Sequence, residues 1–386
     1  MKVNAVPMNK PLWTRGFTIG VVIIVIGFLF MIYRFIYGIG AVTNLSDGVP
    51  WGIWIAFDVV TGIALAAGGF TTAALVYIFN KGKYSPLVRP ALLTALLGYA
   101  LAGFSIVIDV GRWWQIYNPV LPWNWQGNSP MFEVAICVMS YLTVLIIEFL
   151  PIISERFQGG ANSGLKKFLA NLGPKINKVL IFFIILGVVI STLHQSSLGS
   201  LMIISVARIH PLWWSAWLPF YFLLSAIAVG FPVVAIESYY SAKSFNRSYE
   251  GSILRQLLKI TPWLLLVYTV FRFADIIIAG KFGLIFTSLW GLWFVVEMCM
   301  FAFIPMIMMF NSKTMSKVSN IVTASWIMII GLALNRLNTY LITYSPRIGW
   351  DYFPSIGEFA ISAMLVSVLF VGYKLLANYF PVLSKE

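Results

Sequence analysis

The sequence predicts an all-α integral membrane protein with about ten transmembrane helices, and three observations carry that prediction. Of 386 residues, 60% are hydrophobic and only 10% are charged, against roughly 25% charged in soluble domains. Apolar stretches recur along the whole chain, each of about 20 residues or more and so long enough to cross a ~30 Å hydrocarbon core as a helix. Lys and Arg gather in the short connections between those stretches.

In order, the predicted spans are 16–36, 51–79, 88–111, 131–153, 179–204, 215–239, 257–279, 284–310, 319–343 and 356–380, a single polytopic membrane domain over 1–386. The first is expected to stay as a membrane helix. Its apolar run is too long for a signal peptide, and no small-residue cleavage site follows Tyr33 and Arg34. The second opens at Pro50-Trp51 and stops at the basic turn of Lys81, Lys83 and Arg89, after which the third runs to Gly111-Arg112. A loop dense in Trp and Pro (Trp113-Trp114, Pro122-Trp123-Asn124-Trp125) precedes the fourth. The fourth and fifth are separated by a polar connection at 154–178, loosened by Gly159, Gly160 and Gly164. Pro211-Leu212-Trp213-Trp214 introduces the sixth span, and 241–258 is the other long polar connection. Short turns divide the last four spans, and no soluble domain is expected anywhere.

A formal charge of +13 could suggest nucleic acid, but the basic residues occupy turns rather than one soluble face. They orient the protein instead. Nineteen of the 26 Lys and Arg, from Lys2, Lys10 and Arg15 onward, fall on the side of the termini, and seven (Arg34, Arg112, Arg208, Arg272, Lys281, Arg336, Arg347) fall on the other. The positive-inside rule then places both termini in the cytoplasm. The Trp-rich loops face the opposite side, where interfacial aromatic belts are their plain explanation. Cys137 and Cys299 lie in apolar runs and are expected to be packing residues, with no disulfide framework and no metal site.

Seven carboxylates interrupt the spans: Asp58, Asp109, Glu133, Glu148, Glu237, Asp275 and Glu297. Each costs on the order of 2.5–3.5 kcal/mol at a helix centre on insertion scales, so paired or hydrated sites are expected. Pairing of Asp109 with Arg112 and of Asp275 with Arg272 would simply neutralise charge. Glu133, Glu148 and Glu237 have no local cation. At a rise of ~1.5 Å per residue, Asp58, Asp109, Glu133 and His194 fall in the outer half, Tyr99 midway, and Glu148 and Glu237 near the inner ends. Groups spread over several depths are what a proton route needs. With two histidines, His194 and His210, bis-His ligation of one haem would consume both, and His210 stands in an outer loop before Pro211, so no haem is expected. His194 is either a satisfied core residue or a proton-exchanging group beside a ligand. No Walker, Rossmann or metalloprotease spacing stands out.

Four strings then become recognisable. Gly48-Val49-Pro50-Trp51-Gly52-Ile53-Trp54-Ile55-Ala56-Phe57-Asp58, Leu87-Val88-Arg89-Pro90-Ala91-Leu92-Leu93, Ile108-Asp109-Val110-Gly111-Arg112 and His194-Gln195-Ser196-Ser197-Leu198-Gly199-Ser200-Leu201-Met202 resemble the HybB-like membrane subunits of hydrogenase-2-type complexes. These belong to the wider NrfD/polysulfide reductase membrane-subunit family, whose helix bundles the chain would share. The resemblance runs over nearly the whole chain, with His-Gln-Ser-Ser its most specific part. It implies a haem-free quinone module with no Fe–S cluster of its own. A periplasmic ferredoxin-like iron–sulfur subunit, with hydrogenase large and small subunits behind it, would pass electrons to a quinone, menaquinone favoured. Carried over by residue, Asp58, Asp109, Arg112, Glu133 and His194 would surround the quinone head group. Arg89, Tyr99, Glu148 and Glu237 would form a proton path from the cytoplasm. The same module could serve a multihaem cytochrome or a molybdenum enzyme. A secondary transporter, which should show broken helices at a midplane site, and a purely structural anchor are the readings of another class.

Overall fold

A computed structural model describes residues 5–49, 51–158, 164–346 and 351–384. Lys2, Pro50, Gly159, Gly160 and Arg347, used in reading the sequence, lie outside the described residues. Among the described residues, ten helices are long and apolar enough to cross a membrane. In chain order they are α1 (Arg15–Tyr37), α2 (Trp54–Ile78), α3 (Gly82–Asp109), α4 (Pro130–Phe157), then α6 (Leu180–Ile203), α7 (Leu218–Phe245), α8 (Gly251–Ile278), α9 (Leu289–Phe310), α10 (Val318–Ile342) and α11 (Ile356–Tyr379). Between α4 and α6 lies α5 (Gly164–Ile176), which does not span. An even number of crossings brings both ends to one face, and there β1 (Ala5–Val6) pairs antiparallel with β2 (Leu383–Ser384), Ala5 opposite Ser384.

The span positions agree with the apolar runs, and the corrections concern the connections. Of the polar connection at 154–178, the described residues are largely helical: α4 continues to Phe157 and α5 covers Gly164–Ile176. Leu165, Phe168, Leu169, Leu172 and Ile176 recur at helical spacing, a short amphipathic pattern that span hunting overlooks. The 241–258 connection is likewise largely helical, because α7 runs on to Phe245 and ends at left-handed Asn246 (φ 51°), with α8 starting at Gly251. α8 breaks before Thr261, where Pro262 starts the next segment without needing an amide donor. α2 carries π-helical turns at Trp54–Thr61 and Ala74–Ile78, a local change of winding that re-aims side chains and often accompanies functional sites.

Two four-helix groups make up the centre, α2, α3, α4 and α6 in one and α7 to α10 in the other, joined where α7 packs on α2 and α6. α1 and α11 pair with each other and lean on α3. In lipid, helices associate through close packing rather than a hydrophobic difference, so small residues mark the contacts. A Cβ on Gly27 of α1 would come within 2.6 Å of the Ala360 carbonyl of α11. One on Gly331 of α10 would stand 2.5 Å from the Cα of Phe301 in α9. Because backbone cannot yield as a side chain can, Gly331→Ala is expected to cost about 1–3 kcal/mol. A lowered melting temperature of the detergent-purified chain is the expected result, and an unchanged one would contradict this packing.

Candidate functional site

The acids that interrupt the spans sort into separate neighbourhoods. On the face opposite the termini, Asp58 sits in the first π-helical turns of α2 and accepts a hydrogen bond from Ser362 Oγ of α11 at 2.6 Å. Asp109 ends α3, and its buried Oδ1 has no hydrogen-bond partner among the described residues. The cation beside it is Arg34 of α1, 1% exposed, whose Nε donates to the Ile108 carbonyl and Nη2 to the Val110 carbonyl, both at 2.6 Å. Arg112, which the sequence set one turn from Asp109, is exposed beyond the helix end. Among the described residues, the ion pairs are Arg89–Glu155 and Arg272–Asp275.

Glu358, in the first turn of α11, completes this end. Ser355 and Glu358 form a reciprocal cap, Tyr352 Oη donates to Glu358 Oε1 at 2.5 Å, and the Asn44 amide donates to Oε2 at 3.1 Å. Burial and the adjoining carboxylate push the Tyr352 phenol up, so it remains a donor. Its oxygen in turn accepts from the Ile53 amide at 3.0 Å. The loops before α2 and α11 are thereby tied together over Asp58 and Asp109. Glu133, exposed in the first turn of α4, accepts from Ser197 Oγ of α6 at 2.5 Å.

Deeper in the same bundle, His194 of α6 is fully buried, and neither ring nitrogen has a hydrogen-bond partner among the described residues. Beside it Gln195 donates to the Ile63 carbonyl at 3.0 Å, while its buried Oε1 lacks a partner. The Tyr99 ring lies 5.7 Å from His194 and 4.4 Å from Tyr141, and Tyr99 Oη is 3.3 Å from Ser191 Oγ. Unpartnered buried polar atoms are uncommon in native proteins and point to water or a ligand at the site.

From the termini face a cavity of about 840 Å³ enters between α2, α3, α4 and α6 and reaches Tyr141 and Glu148. At its lining, Arg89 holds Glu155 in a bidentate pair of 2.7 Å bonds and also donates to the Pro381 carbonyl at 3.0 Å. Gly187 leaves room for the acid, since a Cβ there would stand 2.9 Å from Glu148 Oε1. Glu237 is elsewhere. It accepts from Tyr373 Oη of α11 at 2.9 Å, its Oε2 is buried without a partner among the described residues, and it borders a separate one-water cavity of about 10 Å³ with Arg247, Glu250 and Ser384.

The structure thus places Glu148 and Arg89 on one cavity, sets Tyr99 behind its lining residue Tyr141 and His194 beside Tyr99, and leaves Glu237 apart and Arg112 outside. Sequence reasoning passed over Arg34, Tyr141, Ser362 and Tyr373, the partners that turn isolated acids into neighbourhoods. Tyr141 and Tyr373 are hydroxyls inside apolar runs, a signal that was legible. In the sequence Arg34 reads as an orienting charge at the end of the first span. A further acid, Glu297 of α9, is held by three donors: Trp213 Nε1 at 2.6 Å, Asn335 Nδ2 at 2.7 Å and Asn338 Nδ2 at 2.5 Å. No cluster of three metal-ligating acids, His or Cys occurs among the described residues.

The model of the family described as "Polysulphide reductase, NrfD" matches residues 41–344, that is, α2 to α10. A protein named as a probable Ni/Fe-hydrogenase 2 b-type cytochrome subunit, from Escherichia coli K12, is 37% identical over 94% of this chain and 90% of its own length. The integral membrane subunit of a menaquinone reductase from Nitratidesulfovibrio vulgaris is 28% identical over 93% of this chain and 89% of its own. The integral membrane subunit of an Hdr-like menaquinol oxidoreductase from Archaeoglobus fulgidus is 24% identical over 86% of each chain. With the family model covering all the crossings from α2 to α10, and a relative this similar along nearly its full length, the chain belongs to the NrfD polysulphide reductase family of integral membrane proteins.

Proposed function

We propose that this chain is the quinone-reactive membrane subunit of a respiratory oxidoreductase complex, most simply a periplasmic [NiFe] hydrogenase. An iron–sulfur subunit would deliver electrons on the face opposite the termini, and protons would come from the termini face. The observation that carries the reading is the arrangement in the first bundle. An 840 Å³ cavity brings the termini face to Glu148 and Tyr141, and the Tyr141–Tyr99–His194 contacts continue toward Asp58, Glu133 and Asp109. The names of the relatives, a hydrogenase subunit and a menaquinone reductase subunit, agree with it.

Reduction of a quinone consumes two electrons and two protons, so donors must stand beside its carbonyl oxygens. Glu133 with Ser197, and Asp58 with Ser362, are acids already held by a hydroxyl. Arg34 and the cap around Glu358 fix the Asp109 end. His194, buried with both nitrogens free of partners among the described residues, would meet a carbonyl oxygen. The cytoplasm is assigned to the termini face because Lys10, Lys81, Lys83, Lys175, Lys243, Lys259, Lys313 and Lys317 all lie near helix ends there. The haem suggested by one relative's name finds poor ligands: His194 lies buried in α6, whereas His210 sits in an outer loop against Trp213 and Trp290 and accepts from the Leu212 amide. The proposal therefore includes no haem.

Proteoliposomes holding the intact complex test the coupling. Glu148→Gln is expected to slow proton uptake from the termini side and quinone-linked turnover together by about 10²-fold, while dye reduction by the partner subunits stays unchanged. Full turnover with full uptake would remove Glu148 and its cavity from the route.

A further inference from the structure

We propose that α5 is an in-plane membrane-surface helix whose lysines bind the phosphate of anionic phospholipid headgroups. Leu165 and Phe168 are 72% and 61% exposed, and they continue the apolar face of Leu169, Leu172 and Ile176, which are half-buried. The helix is not free to rotate. Ser154 Oγ of α4 donates to the Ala170 carbonyl at 2.9 Å and accepts from the Gly173 amide at 3.1 Å, and Gly173 is buried so closely that a Cβ would stand 2.6 Å from the Cβ of that serine. The clamp half-buries Leu169, Leu172 and Ile176 and leaves Leu165 and Phe168 projecting from the protein, an apolar edge that in water would stand uncovered.

Charge on the same segment says what covers it. Lys166, Lys167, Lys175 and Lys178 are exposed, as is Arg156 at the end of α4, and no Asp or Glu occurs from Phe157 to Lys178. The nearest acid, Glu155, is engaged by Arg89. An exposed apolar edge beside ammonium groups and lacking acids matches the bilayer boundary, acyl chains against Leu165 and Phe168 and phosphates beside the lysines, and favours lipids whose headgroup carries no compensating cation. Gly173 and Asn177 also line the large cavity, so the bound headgroups would stand at its rim.

The test is a lysine footprint on the full-length chain purified in neutral detergent, titrated with phosphatidylglycerol, phosphatidylcholine or inorganic phosphate. Phosphatidylglycerol is expected to lower acetylation of Lys166, Lys167, Lys175 and Lys178 several-fold, leaving Lys81 and Lys83 unchanged. Equal protection by phosphatidylcholine or by inorganic phosphate, or no protection, would overturn the proposal. Replacing all four lysines by Gln should weaken retention of phosphatidylglycerol about tenfold or more, and replacing them by Arg should restore it. Should the Gln variant fail to fold, the wild-type footprint still decides.

Discussion

Glu133→Gln in the intact complex is expected to lower quinone-linked turnover by about 10²–10⁴-fold, the range for loss of a positioned acid. Dye reduction by the partner subunits should not change. Gln preserves volume and can still meet Ser197 Oγ, which lies 2.5 Å from Glu133 Oε1, so the fold has little reason to respond. A competing account is that Glu133 merely complements the amino end of α4, where a carboxylate contributes about 0.3–1 kcal/mol. That account predicts a small loss of stability and normal turnover. Glu133→Asp separates the two further, because it keeps a titratable group one methylene shorter and should restore a measurable part of the rate. Normal quinone-linked turnover in the Gln variant would take Glu133 out of the chemistry.

Glu297→Ala is expected to be the most destabilising single change in the second bundle, by about 3–5 kcal/mol, as for removal of one partner from a buried charged network. Glu297 is 2% exposed and accepts from Trp213, Asn335 and Asn338, so the variant strands three buried donors at once. The consequence reaches the outer surface. Trp213 belongs to the loop before α7, which Arg272 also holds through the Leu212 carbonyl at 2.5 Å and Lys281 through the Trp214 carbonyl at 2.9 Å. Loss of the Glu297 bond should lower the melting temperature strongly and red-shift the fluorescence of Trp213 as it loosens. Retention of both would mean that the loop is held adequately by Arg272 and Lys281 alone. In the proposed complex this loop, together with the Trp113 to Gln126 segment, is where the iron–sulfur subunit would dock, so its rigidity bears on assembly.

The sequence by itself determined the number of crossings and the acids inside them. Bilayer thickness sets a length that an apolar run either reaches or does not, and that quantity can be read without knowing any neighbour. An even number of crossings then put both ends on one side, where β1 and β2 meet. The strings around Asp58, Asp109 and His194 also sufficed to suggest the family.

Only the tertiary structure decided which polar groups share a neighbourhood. Asp109 lies beside Arg34 rather than its sequence neighbour Arg112, Asp58 takes a hydroxyl from Ser362, 304 residues away, and Tyr373 goes to Glu237 across 136. It also separated Glu148 from Glu237, although both stand near the inner ends of their spans. The physical reason is rotational. In lipid a helix is apolar on every side, so hydropathy fixes its depth and leaves its rotation about its own axis open. That rotation is set by where small residues such as Gly27, Gly187 and Gly331 let another backbone or side chain approach. Those approaches join parts of the chain that no local pattern connects.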